Sequence, residues 1–214
     1  MARIALFASG TATNARRLLE DDIRRNPTGR IVCTLSDRTT SGVHAAAAAA
    51  GIPGHRISYG NGRDQAEADI TNILAGYRVD LLVLAGYMRI LSADLVQSYE
   101  SRILNIHPSL LPDFPGMHAI ERSFEAGTTR AGITIHLVDA GVDTGPILVQ
   151  ASFASAETPT LEDFEKRIHS LEHSLYPEVV EQVGDYVDNG AWPGARLNID
   201  RLRSVIPDYA RLED

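Results

Sequence analysis

The sequence predicts an α/β protein with a mostly parallel central sheet and helices on both of its faces. Three observations carry that expectation. The first half alternates short apolar runs with helix-length segments, and strand–helix–strand units of this length build parallel sheets with covered faces. The run from Val79 to Ala85 is almost wholly apolar, as a strand buried on both sides must be. The chain has 214 residues, 44% of them hydrophobic, enough for one domain with a sizeable core.

Taken in order, Ile4 to Ala8 reads as the first strand, ending in Ser9-Gly10, with Asn14 placed to cap a helix through about Arg25. Ile31 to Leu35 is the second strand. The alanine-rich segment Val43 to Ala50 is a helix that Gly51-Ile52-Pro53 ends, packed closely against the sheet. A short strand near Ile57 and a helix from about Arg63 to Gly76 precede the Val79 strand. The second half changes character: Ile103 to His107 runs into the proline-punctuated loop Pro108 to Pro115, and Gly132 to Val138 alternates weakly. Ile147 to Phe153 is its hairpin-like partner. A long helix from about Thr160 puts Leu161, Phe164, Ile168, Leu171 and Leu175 on one face. We read residues 1–190 as a single domain, with about 1–100 and about 101–190 as its halves. Residues 191–214 are a polar tail lying loosely over it.

A formal net charge of -8 argues against a nucleic-acid partner, which needs clustered Lys and Arg. A small anion can still be held by local backbone amides. Cys33 is the only cysteine, so neither an internal disulfide framework nor a cysteine zinc site is expected, and its apolar neighbours mark it as a buried thiol. The histidines show no metal-ligand spacing, and no metal is expected. No basic segment leads into an apolar stretch of signal length, and no apolar run approaches the roughly 20 residues that span a bilayer. We therefore expect a cytoplasmic protein that acts on small molecules as a monomer or homodimer, without a membrane partner.

Strand, then Ser9-Gly10-Thr11-Ala12-Thr13-Asn14, then helix is an arrangement suited to a phosphate. Free N–H groups and the positive end of the helix dipole meet a dianion, and Thr11 and Thr13 add hydroxyls. Many strand-to-helix turns share this look without binding anything. The loop has one glycine, Gly10, where the dinucleotide fingerprint has three, yet Asp37 ends the next strand and keeps a nicotinamide enzyme among the candidates.

Asn105 and His107 stand two apart, so on a strand they face the same side. An amide can donate to a developing oxyanion, and a histidine can move a proton near neutral pH. The pair suits attack of an amine on a carbonyl carbon, but a strand that ends in two polar residues has the same spacing. Asp143, in Asp143-Thr144-Gly145-Pro146, could orient an imidazole and keep it cationic; equally, it is ordinary turn chemistry.

In order along the chain, Ser9-Gly10-x-x-Thr13-Asn14, Val83 through Leu91, Asn105 through Pro112, Pro115-Gly116, Asp143 through Pro146 and Leu171-Glu172-His173 resemble the glycinamide ribonucleotide transformylases of purine synthesis. The likeness runs from about residue 3 to about residue 187. It implies a Rossmann-like formyltransferase fold, a ribonucleotide bound by the first half and 10-formyltetrahydrofolate as co-substrate in the second. By position, Asn105 would bond the formyl oxygen, His107 would assist the charge or shuttle the proton, and Asp143 would support the histidine and relay a proton from the amine. Gly10, Thr11, Ala12, Thr13 and Asn14 would hold the phosphate, Pro108 would border the substrate, and Glu172 would meet the ribose hydroxyls. Arg63, Met88, Arg89, Ile90, Leu91, His136, Val138 and Asp139 would surround the folate; His136 fits a structural role as well, and Arg89 a surface ion pair. The tRNA and hydrolase relatives carry additional domains that this length does not provide for.

Two departures stand out. Ala12 occupies a position where the resembled family has glycine, which would cost roughly 1–2 kcal/mol if the backbone there is left-handed. Ala140 replaces a common acidic residue in the folate loop. Formyl transfer is the expected chemistry, with glycinamide ribonucleotide as acceptor and a different amine as the alternative.

Overall fold

The apolar runs of the first half become strands whose alternate side chains feed two separate cores. The computed structural model describes residues 1–26 and 28–213; Pro27 and Asp214 lie outside the described residues. Its elements begin with β1 (Ile4–Phe7), α1 (Thr13–Arg25), β2 (Ile31–Ser36), α2 (Gly42–Ala49), β3 (Gly54–Arg56), α3 (Arg63–Gly76) and β4 (Leu81–Leu84). They continue with α4 (Ala93–Ser98), β5 (Ile103–His107), α5 (Ala119–Glu125), β6 (Arg130–Leu137), β7 (Ile147–Ala154), α6 (Leu161–Asp188), α7 (Ile199–Arg203) and β8 (Ala210–Leu212). In β1, Ile4 and Leu6 join the core beneath α1 and α6, while Ala5 and Phe7 join the one beneath α3 and α4.

The strands form one sheet in the order β3-β2-β1-β4-β5-β6-β7-β8. Pairing is parallel from β3 to β5 and antiparallel from β5 to β8. The chain winds outward from β1 to β3, then crosses back to lay β4 on the other side of β1. Loops leaving the carboxyl ends of β1 and β4 therefore diverge and open a crevice, the usual place for a ligand in an open α/β sheet.

α6 is the longest element, and Thr160 caps it by accepting from the Asp163 N–H at 3.1 Å. Its Tyr176 is fully buried, with the hydroxyl 2.9 Å from the Leu84 carbonyl and 3.2 Å from that of Leu104. That contact ties the helix to the end of β4 and to the adjoining stretch of β5. Among the described residues no helix is long and apolar enough to cross a membrane.

Several expectations need correction. Asn14 does not cap α1: Ala12 holds the cap position, no side chain caps it, and Asn14 lies in the first turn with its amide turned to Glu172. The short third strand is Gly54–Arg56, just before Ile57. α4, which Ser92 caps, and α5 are too short to show a helical period. The tail does not lie loosely. Trp192 donates its indole N–H to the Ser101 carbonyl at 2.6 Å, the Arg167 guanidinium sits 4.6 Å from the Tyr209 ring, and Ala210–Leu212 pairs with β7 as the eighth strand.

Candidate active site

Alternation along β5 sends Leu104 and Ile106 into the core under α6, and Asn105 and His107 to the opposite face, at the crevice. Antiparallel pairing then sets His136 of β6 directly across from Asn105. Asp143 arrives on the loop between β6 and β7. There the Asp139 carboxylate accepts the Gly141 N–H at 3.0 Å and the Thr144 hydroxyl at 2.7 Å, closing the turn. Gly145 lets that turn press onto β6, since a β-carbon there would collide with the Leu137 carbonyl. Asp143 itself is left-handed, at φ 54°, which brings its carboxylate back over β5 and β6.

Four side chains meet at this point. The Asp143 carboxylate accepts the Gly116 N–H at 2.8 Å, and His107 Nδ1 stands 3.3 Å from the same oxygen. Its other oxygen lies 3.4 Å from the Asn105 amide nitrogen and 3.6 Å from His136 Nε2. His107 Nε2 faces the Phe114 carbonyl at 2.9 Å, so both ring nitrogens meet acceptors. His136 Nδ1 must donate to the Leu137 carbonyl at 2.8 Å, because a carbonyl can only accept. Its Nε2, 3.1 Å from the Asn105 amide nitrogen, either accepts from that amide or, carrying a second proton, donates to Asp143. The His136 ring, the Gly116 N–H and the nearby His107 together hold the Asp143 carboxyl down at about 2, against the opposing effect of burial.

A cavity of about 580 Å³ runs past this cluster. At one end is the loop 10–14. Ala12 is left-handed, at φ 59°, and its side chain is buried, so the chain adopts the strained conformation that a glycine would take freely. The first N–H groups of α1 have no side-chain cap and open onto the cavity wall. Asn14 Nδ2 and His169 Nδ1 both lie 2.9 Å from one oxygen of the buried Glu172. That carboxylate pushes the His169 ring up from its ordinary value, against burial. Met88, Ile90, Met117 and Val142 also line the cavity, with exposed apolar side chains.

All the residues that the resemblance assigned to catalysis or binding line this cavity except Arg63. The Arg63 guanidinium instead pairs with Glu67 and donates to the Ile90 carbonyl at 3.0 Å, propping the 86–91 loop from outside. Asp139 lines the cavity with a carboxylate already engaged in its own turn. Arg89 is bound to Asp37, whose side chain is 1% exposed with each oxygen already accepting a hydrogen bond, so it is not presented to the ribose of a dinucleotide. His169 went unremarked in the sequence as a cavity residue, although its spacing of three from Glu172 puts both on one helical face. The backbone contacts from Phe114 and Gly116 had no readable signal beyond Pro115-Gly116.

The chain matches the family model described as formyl transferase over residues 2–180. It is 41% identical to the phosphoribosylglycinamide formyltransferase of Bacillus subtilis over 186 residues, which covers 86% of this chain and 95% of that protein. A solved phosphoribosylglycinamide formyltransferase from Bacillus halodurans superposes with a TM-score of 0.82 at 35% identity, covering 89% of this chain and 99% of that one. The glycinamide ribonucleotide transformylase 1 of Symbiobacterium toebii superposes at 0.81 with 39% identity over 86% of this chain and 88% of its own. With these likenesses spanning both halves of the sheet and the cavity between them, the chain belongs to the formyl transferase family, among the phosphoribosylglycinamide formyltransferases.

Proposed function

We propose that this protein moves the formyl group of 10-formyltetrahydrofolate onto the primary amine of glycinamide ribonucleotide, a step of purine synthesis. The observation that carries the proposal is that Asn105, His107 and Asp143 line one cavity together with an anion-suited loop and exposed apolar side chains. The amine substrate's phosphate would sit on the uncapped N–H groups of α1, with the His169 ring on the same cavity lining and Glu172 beside the ribose. The pteridine would lie between the 86–91 segment and the 138–143 turn, against Met88, Ile90 and Val142. Ala12 fits this reading, because it already holds the left-handed backbone that presents those amides.

In the reaction the amine lone pair attacks the formyl carbon. A C–N bond forms, negative charge grows on the formyl oxygen, and the bond to the folate nitrogen then breaks as that nitrogen takes a proton. The Asn105 amide would donate to the growing charge by giving up its longer contact, the 3.4 Å one to Asp143. His107, clamped between the Phe114 carbonyl and Asp143, would support that charge by turning its Nδ1–H away from Asp143 as that carboxylate takes the amine's proton. Asp143, held ionised, would accept the proton that the amine sheds and hand it on toward the leaving nitrogen. A lone buried thiol, Cys33, suits a reducing cytoplasmic setting.

The test is amine-dependent loss of the formyl folate, followed by absorbance, for the wild type and for His107→Ala. We expect turnover that needs the amine and falls about 10²- to 10⁴-fold in the variant. Turnover of the folate without the amine, or full activity in His107→Ala, would refute the assignment.

A further inference from the structure

The reaction leaves the chemistry of Asp37 unused, and its surroundings define a role. It follows β2, and its side chain is 1% exposed. One carboxylate oxygen accepts the Ser9 hydroxyl at 2.6 Å; the other accepts Arg89 Nε at 2.8 Å. The exposed Arg38 guanidinium lies farther off, at 3.9 Å. Ser9, at the end of β1, in turn accepts the Met88 N–H on its hydroxyl at 2.9 Å and donates its own N–H to the Gly86 carbonyl at 3.1 Å. The Arg89 guanidinium rests 4.7 Å above the Tyr59 ring, and the Tyr59 hydroxyl meets that of Tyr87 at 3.0 Å.

Asp37 therefore sits where the loop after β1 and the loop after β4 part, and it holds both. The segment 86–91 presents Met88 and Ile90 outward with more than half of each exposed, at 58% and 63%. Tyr87 and Leu91 pack on the core at either side, but apolar burial does not hold the stretch between them, Met88 to Ile90, where polar tethers must. Two of those tethers, through Ser9 and through Arg89, end on the two oxygens of this one carboxylate. We propose that Asp37 is a positioning residue for the formyl-donor side of the cavity, fixing the 86–91 loop against the amine-side loop; this rests on the functional reading above. Asp37 does not line the cavity and acts through Ser9 and Arg89.

The experiment measures steady-state constants for donor and amine separately in Asp37→Ala and Asp37→Asn, with calorimetric binding of a non-transferable folate analogue and hydrogen exchange at the Met88 amide. Loss of a charge-assisted contact to a loop that must be ordered for binding predicts a donor KM and analogue Kd raised roughly 10- to 100-fold in Asp37→Ala. The amine KM and kcat should each move by about threefold or less. Asp37→Asn, which keeps an oxygen for Ser9 but turns an amide toward Arg89, should fall between, and Met88 exchange should quicken in the same order. An unchanged donor KM and Kd, equal shifts for both substrates, or a kcat loss alone would overturn the proposal. If the wild type transfers no formyl group to the amine, the functional reading fails, while analogue binding and Met88 exchange still decide the role of Asp37. Should Asp37→Ala not fold, the same readouts on Asp37→Asn decide.

Discussion

Replacing Asp143 by asparagine separates its charge from its shape. Asparagine tolerates a left-handed backbone, so the φ of 54° is kept, and its side-chain oxygen can still accept the Gly116 N–H. What disappears is the negative charge between His136 and His107. The carboxyl is lowered from the ordinary 3.8 to about 2, and with partial solvent access that amounts to about 2 kcal/mol of folded-state stabilisation at neutral pH, as an upper figure. A lowered carboxylate contributes above its unfolded value and loses that contribution as pH falls through the folded one. The wild type should thus exceed Asp143→Asn by about 1–2 kcal/mol at pH 7, with about half of that gone by pH 3. Urea midpoints for both proteins at several pH values between 3 and 7 measure the difference, and the formyl-folate assay at pH 7 should show activity down at least about 100-fold. A stability gap that stays constant across that pH range would refute the electrostatic account. So would an Asp143→Asn enzyme with near-normal turnover.

Three further outcomes follow from the same geometry. Ala12→Gly should change stability by less than about 1 kcal/mol, because relief of left-handed strain is offset by a lost buried methyl and a freer unfolded chain, whereas Ala12→Val should cost about 2 kcal/mol or more; thermal melts compare the two. His169 carries its proton to higher pH than a free imidazole because of Glu172, so its charge is present at low pH and lost as pH rises; the amine KM should climb over that range, and His169→Gln should flatten the climb. Ending the chain after Asp208 removes β8 and bares the edge of β7, and size-exclusion chromatography should then show more self-association than the full chain at equal concentration.

The order of strands and helices through the first half was legible because buried parallel strands must be continuously apolar and their helices must show a helical period. Those signals lie in the sequence itself, and Ile4–Phe7, Ile31–Ser36, Arg63–Gly76 and Leu81–Leu84 match them closely. The two-residue spacing of Asn105 and His107 was equally local, since strand alternation puts both on one face. What the sequence by itself left open was everything set by contacts between distant segments. His136 becomes a neighbour of Asn105 only through the register of β5 on β6. Asn14 reads as a cap until Glu172, 158 residues away, takes its amide. The tail is polar and proline-marked, so nothing local predicts a strand; the free edge of β7 supplies the hydrogen-bond partners that make one. Asp37 had the look of a ribose ligand, and only the divergence of two loops at β1 and β4 put Ser9 and Arg89 on its oxygens first. Periodicity reports what each segment must bury, whereas the partners of a polar side chain depend on which segments the fold brings beside it.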